Sequence, residues 1–161
     1  MTDSEVLPRM LHAIDRLDWP AVRDAFADEI RVDYTSLSGG EPETLRADDL
    51  IARWQGLLPG FDATQHLAGP VVLTGDGGPG VRAEAHVRGY HHIQDCDGGQ
   101  TWGVFGHYTA RLADGKITEL TLQVFYQEGN LELPGTAAQR AATSPRAATS
   151  PRPQAGHRSA G

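Results

Sequence analysis

Val6, Leu7, Met10, Leu11, Ile14 and Leu17 recur every three or four residues with charged and polar residues between them. This is the pattern of a helix with one buried stripe, ending near Asp18. Asp18 followed by Trp19-Pro20 has the chemistry of a helix start, a capping carboxylate ahead of a first-turn proline, and Val22, Phe26 and Ile30 extend a short second helix. The two segments predict a helical hairpin. From Ile30 the period drops to two, and Ile30, Val32 and Tyr34 alternate with Arg31 and Asp33. That alternation predicts a strand with one buried face and turns Tyr34 inward. Beyond the turn residues Ser38-Gly39-Gly40-Glu41-Pro42, the positions Leu50, Ile51, Trp54, Leu57 and Leu58 predict a third helix, stopped by Pro59-Gly60.

After Val71 the strand period dominates, with strands expected over 71–74, 80–94, 101–112 and 116–126 and Gly/Asp-rich turns between them. They predict an antiparallel meander. Three helices followed by a curled antiparallel sheet define an α+β class, in which a sheet wrapped around its helices leaves a conical pocket at its open end. Residues 1–133 are expected to form this domain. Residues 134–161 read as a disordered, low-complexity tail, because Ala141-Ala-Thr-Ser-Pro-Arg146 repeats as Ala147-Ala-Thr-Ser-Pro-Arg152 and offers little apolar surface to offset ordering entropy.

A chain of 161 residues suits one core rather than two. Its 21 acidic against 14 basic residues give a formal charge of -7, and the basic residues form no stripe, which argues against nucleic acid or an anionic membrane as partner. Mean hydropathy is -0.40, and no run approaches the roughly 20 apolar residues of a membrane helix. The single Cys96 cannot close an intramolecular disulfide, and Met1-Thr2-Asp3-Ser4-Glu5 lacks the basic-then-apolar run of a signal peptide. A cytoplasmic location is the expectation.

Candidate chemistry centres on His66, His86, His91, His92 and His107. Alternation places His91 on the inner face with Val81, Ala83, Ala85, Val87 and Ile93, and His92 on the outer face with Arg82, Glu84, His86 and Arg88. A bulge at Gly89 would exchange the two. His107 falls opposite the apolar set Trp102, Val104, Gly106 and Tyr108, hence outward. Asp15 lies one turn beyond Leu11 at the edge of the first helix's stripe, where it either faces the pocket or is a solvated helix charge. His66, alone, reads as a hydrogen-bonded loop histidine. No His-x-His pair, and no His-x-x-x-His with a following carboxylate, points to a metal site. The Gly75–Gly80 run joins two strands and enters no helix, and Gly-x-Ser-x-Gly is absent, so phosphate-loop and serine-hydrolase readings fail.

Taken together, Asp18-Trp19, the run Arg31-Val32-Asp33-Tyr34 and Thr64-Gln65-His66 resemble scytalone dehydratase and the SnoaL-like proteins of the nuclear transport factor 2 superfamily, over about Val6 to Asn130. The resemblance implies a catalytic set of Asp15, His66, a strand histidine at His91 or His92, and Tyr34. The family's second tyrosine falls at Ile14, and its substrate-anchoring serine and asparagine fall near Val104 and Gly106. Those departures imply a substrate other than scytalone. An apolar wall of Trp54, Phe61, Trp102, Phe105 or Tyr108, Leu122 and Val124, with His92 beside it, would suit a small apolar or aromatic cyclic substrate. The implied activity is a cofactor-free lyase eliminating water from a cyclic hydroxy-ketone or polyketide-like compound. A cyclase or isomerase would need the same enolisation, and a non-catalytic ligand-binding protein could use the same cone. Sheets of this superfamily often pair through their outer faces, which makes a homodimer the expected assembly.

Overall fold

The apolar stripe of the first segment folds into α1 (Asp3–Asp15), opened by a capping box in which the Glu5 carboxylate accepts the Thr2 N–H at 2.9 Å. In this computed structural model, which describes residues 1–75 and 77–144, Leu7, Met10 and Leu11 of that stripe are each 1 % exposed. Full burial of such a side chain contributes about 1.5–3 kcal/mol. The second helix, α2 (Trp19–Asp24), is capped by Asp18 as its sequence predicts, the carboxylate accepting from the Ala21 N–H at 3.2 Å.

That helix is shorter than expected. Phe26 and Ile30 belong to the strand β1 (Phe26–Asp33), both buried, with an irregularity in pairing between Phe26 and Arg31. Even-numbered positions satisfy both a four-residue and a two-residue period, so Val22, Phe26 and Ile30 fit either element. A short helical turn α3 (Thr35–Ser38) and an edge strand β2 (Glu43–Arg46) follow, and then α4 (Ala47–Gln55), which buries Leu50 and Ile51. The third helix expected through Leu58 ends at Gln55, and Leu58–Gly60 form a separate 3-10 turn.

The remaining strands are β3 (Ala63–Ala68), β4 (Val72–Gly75), β5 (Val81–His92), β6 (Thr101–Ala113) and β7 (Lys116–Gly129). Their order is β2-β1-β7-β6-β5-β3, with β4 also paired to β5. All pairs are antiparallel except β1 with β7, which is parallel. Two register breaks between β6 and β7, at Phe105/Gly106 and Arg111/Leu112, bend the longest strands. The curled, unclosed sheet wraps the N-terminal helices as the α+β cone expected from the sequence. Thr64-Gln65-His66, expected in a loop, lies in β3, whose register pairs His66 with Gly89. Its alternation went unseen because the inward residues Thr64 and His66 are polar and Leu67 is exposed.

The start of the expected tail is corrected. Residues Leu133–Thr143 form a helix, α5, whose Leu133, Ala137 and Ala141 are buried against the 3-10 turn. Pro134 and Gly135 look like helix breakers, but proline is well placed in a first turn, where its missing N–H has no helical partner. Arg140 adds an ion pair to Asp62 at 2.5 Å. The rest of that segment, including the second repeat, lies outside the described residues. Among the described residues, no helix is long and apolar enough to cross a membrane.

Candidate functional site

Asp15 is the last residue of α1, where the helix end meets β3. Its carboxylate accepts three hydrogen bonds: from Thr64 Oγ1 at 3.0 Å, from the His66 backbone N–H at 2.8 Å, and from His66 Nδ1 at 2.7 Å. The strand thus presents one side chain and one backbone donor to fix the carboxylate, and the carboxylate fixes the ring. With Nδ1–H donating to Asp15, Nε2 of a neutral His66 is the basic nitrogen. Both side chains are mostly shielded, Asp15 at 18 % and His66 at 13 % exposure. A charge-assisted bond in such a setting is worth about 1.5–3 kcal/mol.

His91 is the inward histidine, as the unshifted alternation predicts. It is 5 % exposed, and its Nδ1 lies 3.1 Å from the Trp102 carbonyl oxygen, which accepts the Nδ1 proton and directs basicity to Nε2. The ring is clamped between Trp102, at 4.4 Å between centroids, and Phe61, at 4.9 Å. It meets His66 edge-on, with centroids 5.2 Å apart. Two imidazoles with defined tautomers therefore face one space, each held by a different acceptor.

That space is a cavity of about 370 Å³ at the open end of the cone. Trp54, Trp102, Tyr108 and Leu122 line it, as do Tyr34, His66 and His91. Four expected wall residues, His92, Phe61, Phe105 and Val124, do not, and Val124 of β7 is instead packed, partly buried, against the core. His92 lies on the opposite face of β5 from His91, near Gln94 Oε1 at 3.3 Å, because β5 runs without a bulge. Phe61 stands behind His91 and stacks on Trp102 at 6.3 Å, so it supports the wall without forming it. Phe105 points to the outer face and stacks on Tyr126 at 4.5 Å, leaving Tyr108 as the inward ring. Asp15 also stays behind its histidine and positions it rather than touching the cavity.

Tyr34 and Tyr108 join their hydroxyls at 3.0 Å, from β1's end and from β6. Burial in the wall is the main cause that pushes the Tyr34 hydroxyl well above the usual phenol range, with Tyr108 beside it adding to the rise. Burial likewise pushes Tyr108 up to about 12, partly offset by its bond to Tyr34. Both therefore stay protonated and act as donors. Ser36 fastens the turn after Tyr34, donating to the Leu122 carbonyl at 2.7 Å and accepting the Val124 N–H at 2.9 Å.

Two further features escaped the sequence reading. Arg53 and Glu43 form a bidentate pair at the cavity rim, with contacts of 2.6 and 3.1 Å. Gly89 lies between the two imidazoles, where an added Cβ would stand 3.1 Å from His66 Cδ2 and 3.2 Å from His91 Cε1. Gly89→Ala is expected to push the rings apart and lower turnover roughly tenfold to a hundredfold, since small misplacements of reacting groups carry penalties of that order. Steady-state kinetics beside a thermal melt checks this, and a large loss of stability with unchanged kcat would contradict it.

A wider, more open groove of about 660 Å³ runs over the outer side of α1 and α2, lined by solvated helix charges such as Glu5, Arg9 and Arg16. It gathers no comparable acid–base set. Among the described residues, no three His, Cys, Asp or Glu side chains come together as metal ligands would.

Comparison with known proteins agrees with the fold. The family model for the SnoaL-like domain matches residues 4–116. The Kfla4162 protein of Kribbella flavida is 27 % identical, with a TM-score of 0.70 over 86 % of this chain and 93 % of its own. A scytalone dehydratase candidate from Novosphingobium aromaticivorans is 14 % identical, with a TM-score of 0.64 over 78 % of this chain and 83 % of its own. The hexachlorocyclohexane dehydrochlorinase LinA of Novosphingobium barchaimii is 14 % identical at a TM-score of 0.63, over 78 % and 85 %. At such identities the last two show a shared fold. None of the curated proteins matches the chain.

Proposed function

Because the chain belongs to the SnoaL-like domain family, we propose that it is an acid–base lyase that removes water from a small cyclic hydroxy-ketone or polyketide-like substrate in the cone. The observation that carries this reading is the 2.7 Å Asp15–His66 bond beside a second, separately oriented imidazole, His91. His66 Nε2 takes the proton from the carbon next to the carbonyl, and Asp15 stabilises the imidazolium that results. The electron pair left on carbon forms the enolate and then the new double bond as the β-hydroxyl departs. His91, whose Nδ1–H stays on the Trp102 carbonyl, takes that proton from the His66 imidazolium at its free Nε2 and gives it to the hydroxyl, so the leaving group is water. One proton enters the protein and one leaves, which returns both rings to the starting state.

The tyrosine pair supports the same reading. One hydroxyl donates to the other, so one O–H of the pair remains to donate to the substrate carbonyl, directly or through a water, as negative charge builds on it. Tyr34→Phe and Tyr108→Phe are each expected to lower kcat roughly a hundredfold, on the scale of losing one oxyanion donor. A rise in KM alone, with kcat intact, would assign the pair to ground-state binding instead.

Incubating the protein with a panel of hydroxylated cyclic ketones in the presence of chelator, and following loss of water by mass, tests the assignment. Dehydration that survives the chelator supports it. A rearranged product of unchanged mass would assign a cyclase or isomerase to the same groups, and tight binding without turnover would assign a ligand carrier.

A further inference from the structure

The outer face of the sheet holds a second pair of imidazoles that the proposed elimination does not use. His86 of β5 stands directly opposite His107 of β6, in the interior of a ladder that runs from Val81↔Leu112 to His92↔Thr101. Their rings lie 5.4 Å apart between centroids, inclined at 68°. His86 is exposed and His107 half-buried. Neither ring hydrogen-bonds to another described residue.

We propose that His86 and His107 form a two-histidine site for a late first-row divalent cation, taking Cu(II) in preference to Ni(II) or Zn(II). Imidazole nitrogens bind such ions at about 2.0–2.1 Å, which sets the centres of two rings sharing one ion about 5 Å apart. A separation of 5.4 Å is therefore closed by small side-chain rotations, without moving the backbone. Directly opposed positions on paired strands are close and held in register, so the second ring binds an ion already captured by the first. Gln123 on β7 stands opposite His107 and can offer an amide oxygen as a third donor. The Phe125 ring, 6.1 Å from His86, covers one side.

Charge around the pair does not oppose a cation strongly. Arg88 lies two residues along β5, but its guanidinium is held over the Phe105 ring at 5.9 Å, and Arg82 is paired with Glu84 at 3.0 Å. Two imidazoles with water in the remaining positions suit the tetragonal preference of Cu(II), and copper stands highest in the affinity order of this series. A closed structural zinc site would need four ligands.

The test is titration of the tag-free full chain with Cu(II), Ni(II) and Zn(II) by calorimetry, with electron paramagnetic resonance of the copper form. The expected result is one tight copper per chain, nitrogen hyperfine coupling from two imidazoles, and affinity for copper above that for nickel and zinc. His86→Ala and His107→Ala should each weaken copper roughly a hundredfold, the scale of losing an intramolecular second contact. Copper should also raise the thermal midpoint of the wild type but not of the H86A/H107A double variant. Copper affinity unchanged in both single variants would overturn the proposal. So would loss of the tight site in His66→Ala, which would place the ion in the cavity at the His66–His91 pair.

Discussion

Replacing His66 with alanine lowers kcat for water elimination roughly 10²–10⁴-fold, the usual contribution of a positioned general base. The fold should survive, because Asp15 keeps two of its three donors in the variant: Thr64 Oγ1 and the backbone N–H of residue 66. The loss should appear in kcat and kcat/KM alike, as expected for an interaction made in the transition state. Asp15→Asn should lose a comparable amount although it never touches substrate. Its amide can donate to Nδ1, hold the ring in the wrong tautomer, and offer no charge to the imidazolium. A variant at residue 66 that turns over at the wild-type rate would remove His66 from the mechanism.

The largest expected effect on stability lies away from the cavity, at Gly60. A Cβ there would stand 1.7 Å from the Ala137 carbonyl oxygen and 2.5 Å from its carbon, with backbone on both sides and no side chain able to rotate clear. Gly60→Ala must therefore lift α5 off the 3-10 turn and uncover Leu133 and Ala137, both 0 % exposed. Overpacking of this kind costs about 1–3 kcal/mol. For a chain of this size each kcal/mol lowers the melting midpoint by roughly 2–4 °C. Catalysis should suffer with it, since Phe61 follows Gly60 and its ring backs His91. Thermal melts and kinetics on the same variant check both, and a midpoint within 1 °C of wild type, roughly the smallest shift such a scale resolves, would show that α5 does not brace the site.

The parts of the fold that were legible are those where burial and periodicity coincide. The α1 stripe, the Asp18 cap and the alternation of β5, β6 and β7 all pair apolar residues with buried positions. Alternation alone directed His91 inward, and an uninterrupted β5 keeps it there. What stayed hidden has physical reasons. The β3 strand places polar chemistry on its inner side, so the residues that matter most there, Thr64 and His66, weaken the hydrophobic signal of their own strand. The α5 stripe consists of one leucine and two alanines, too little apolar area to stand out in a sequence rich in alanine.

The site was legible in its residue types and less so in its three-dimensional neighbours. Asp15 and His66 are 51 positions apart, and the helix end that unites them is set by packing of α1 on β3. Tyr34 and Tyr108, 74 positions apart, meet only through the sheet order that brings β1, β7 and β6 together. Gly89 carries no chemistry and drew notice only as a candidate bulge. Its role follows from the two rings that occupy the space a side chain would fill. Residue type alone puts His92 and Phe61 in the wall, whereas the first faces outward and the second stands one layer back.

The proposed elimination begins when His66, held by Asp15, removes a proton from carbon beside a carbonyl. The most direct measurement is hydrogen exchange at that carbon in deuterated water, on a cyclic ketone that lacks the leaving hydroxyl and so stops at the enolate. The expected result is deuterium incorporation catalysed by the wild type with chelator present, and exchange reduced to the uncatalysed rate in His66→Ala. Equal exchange in the two proteins would contradict it.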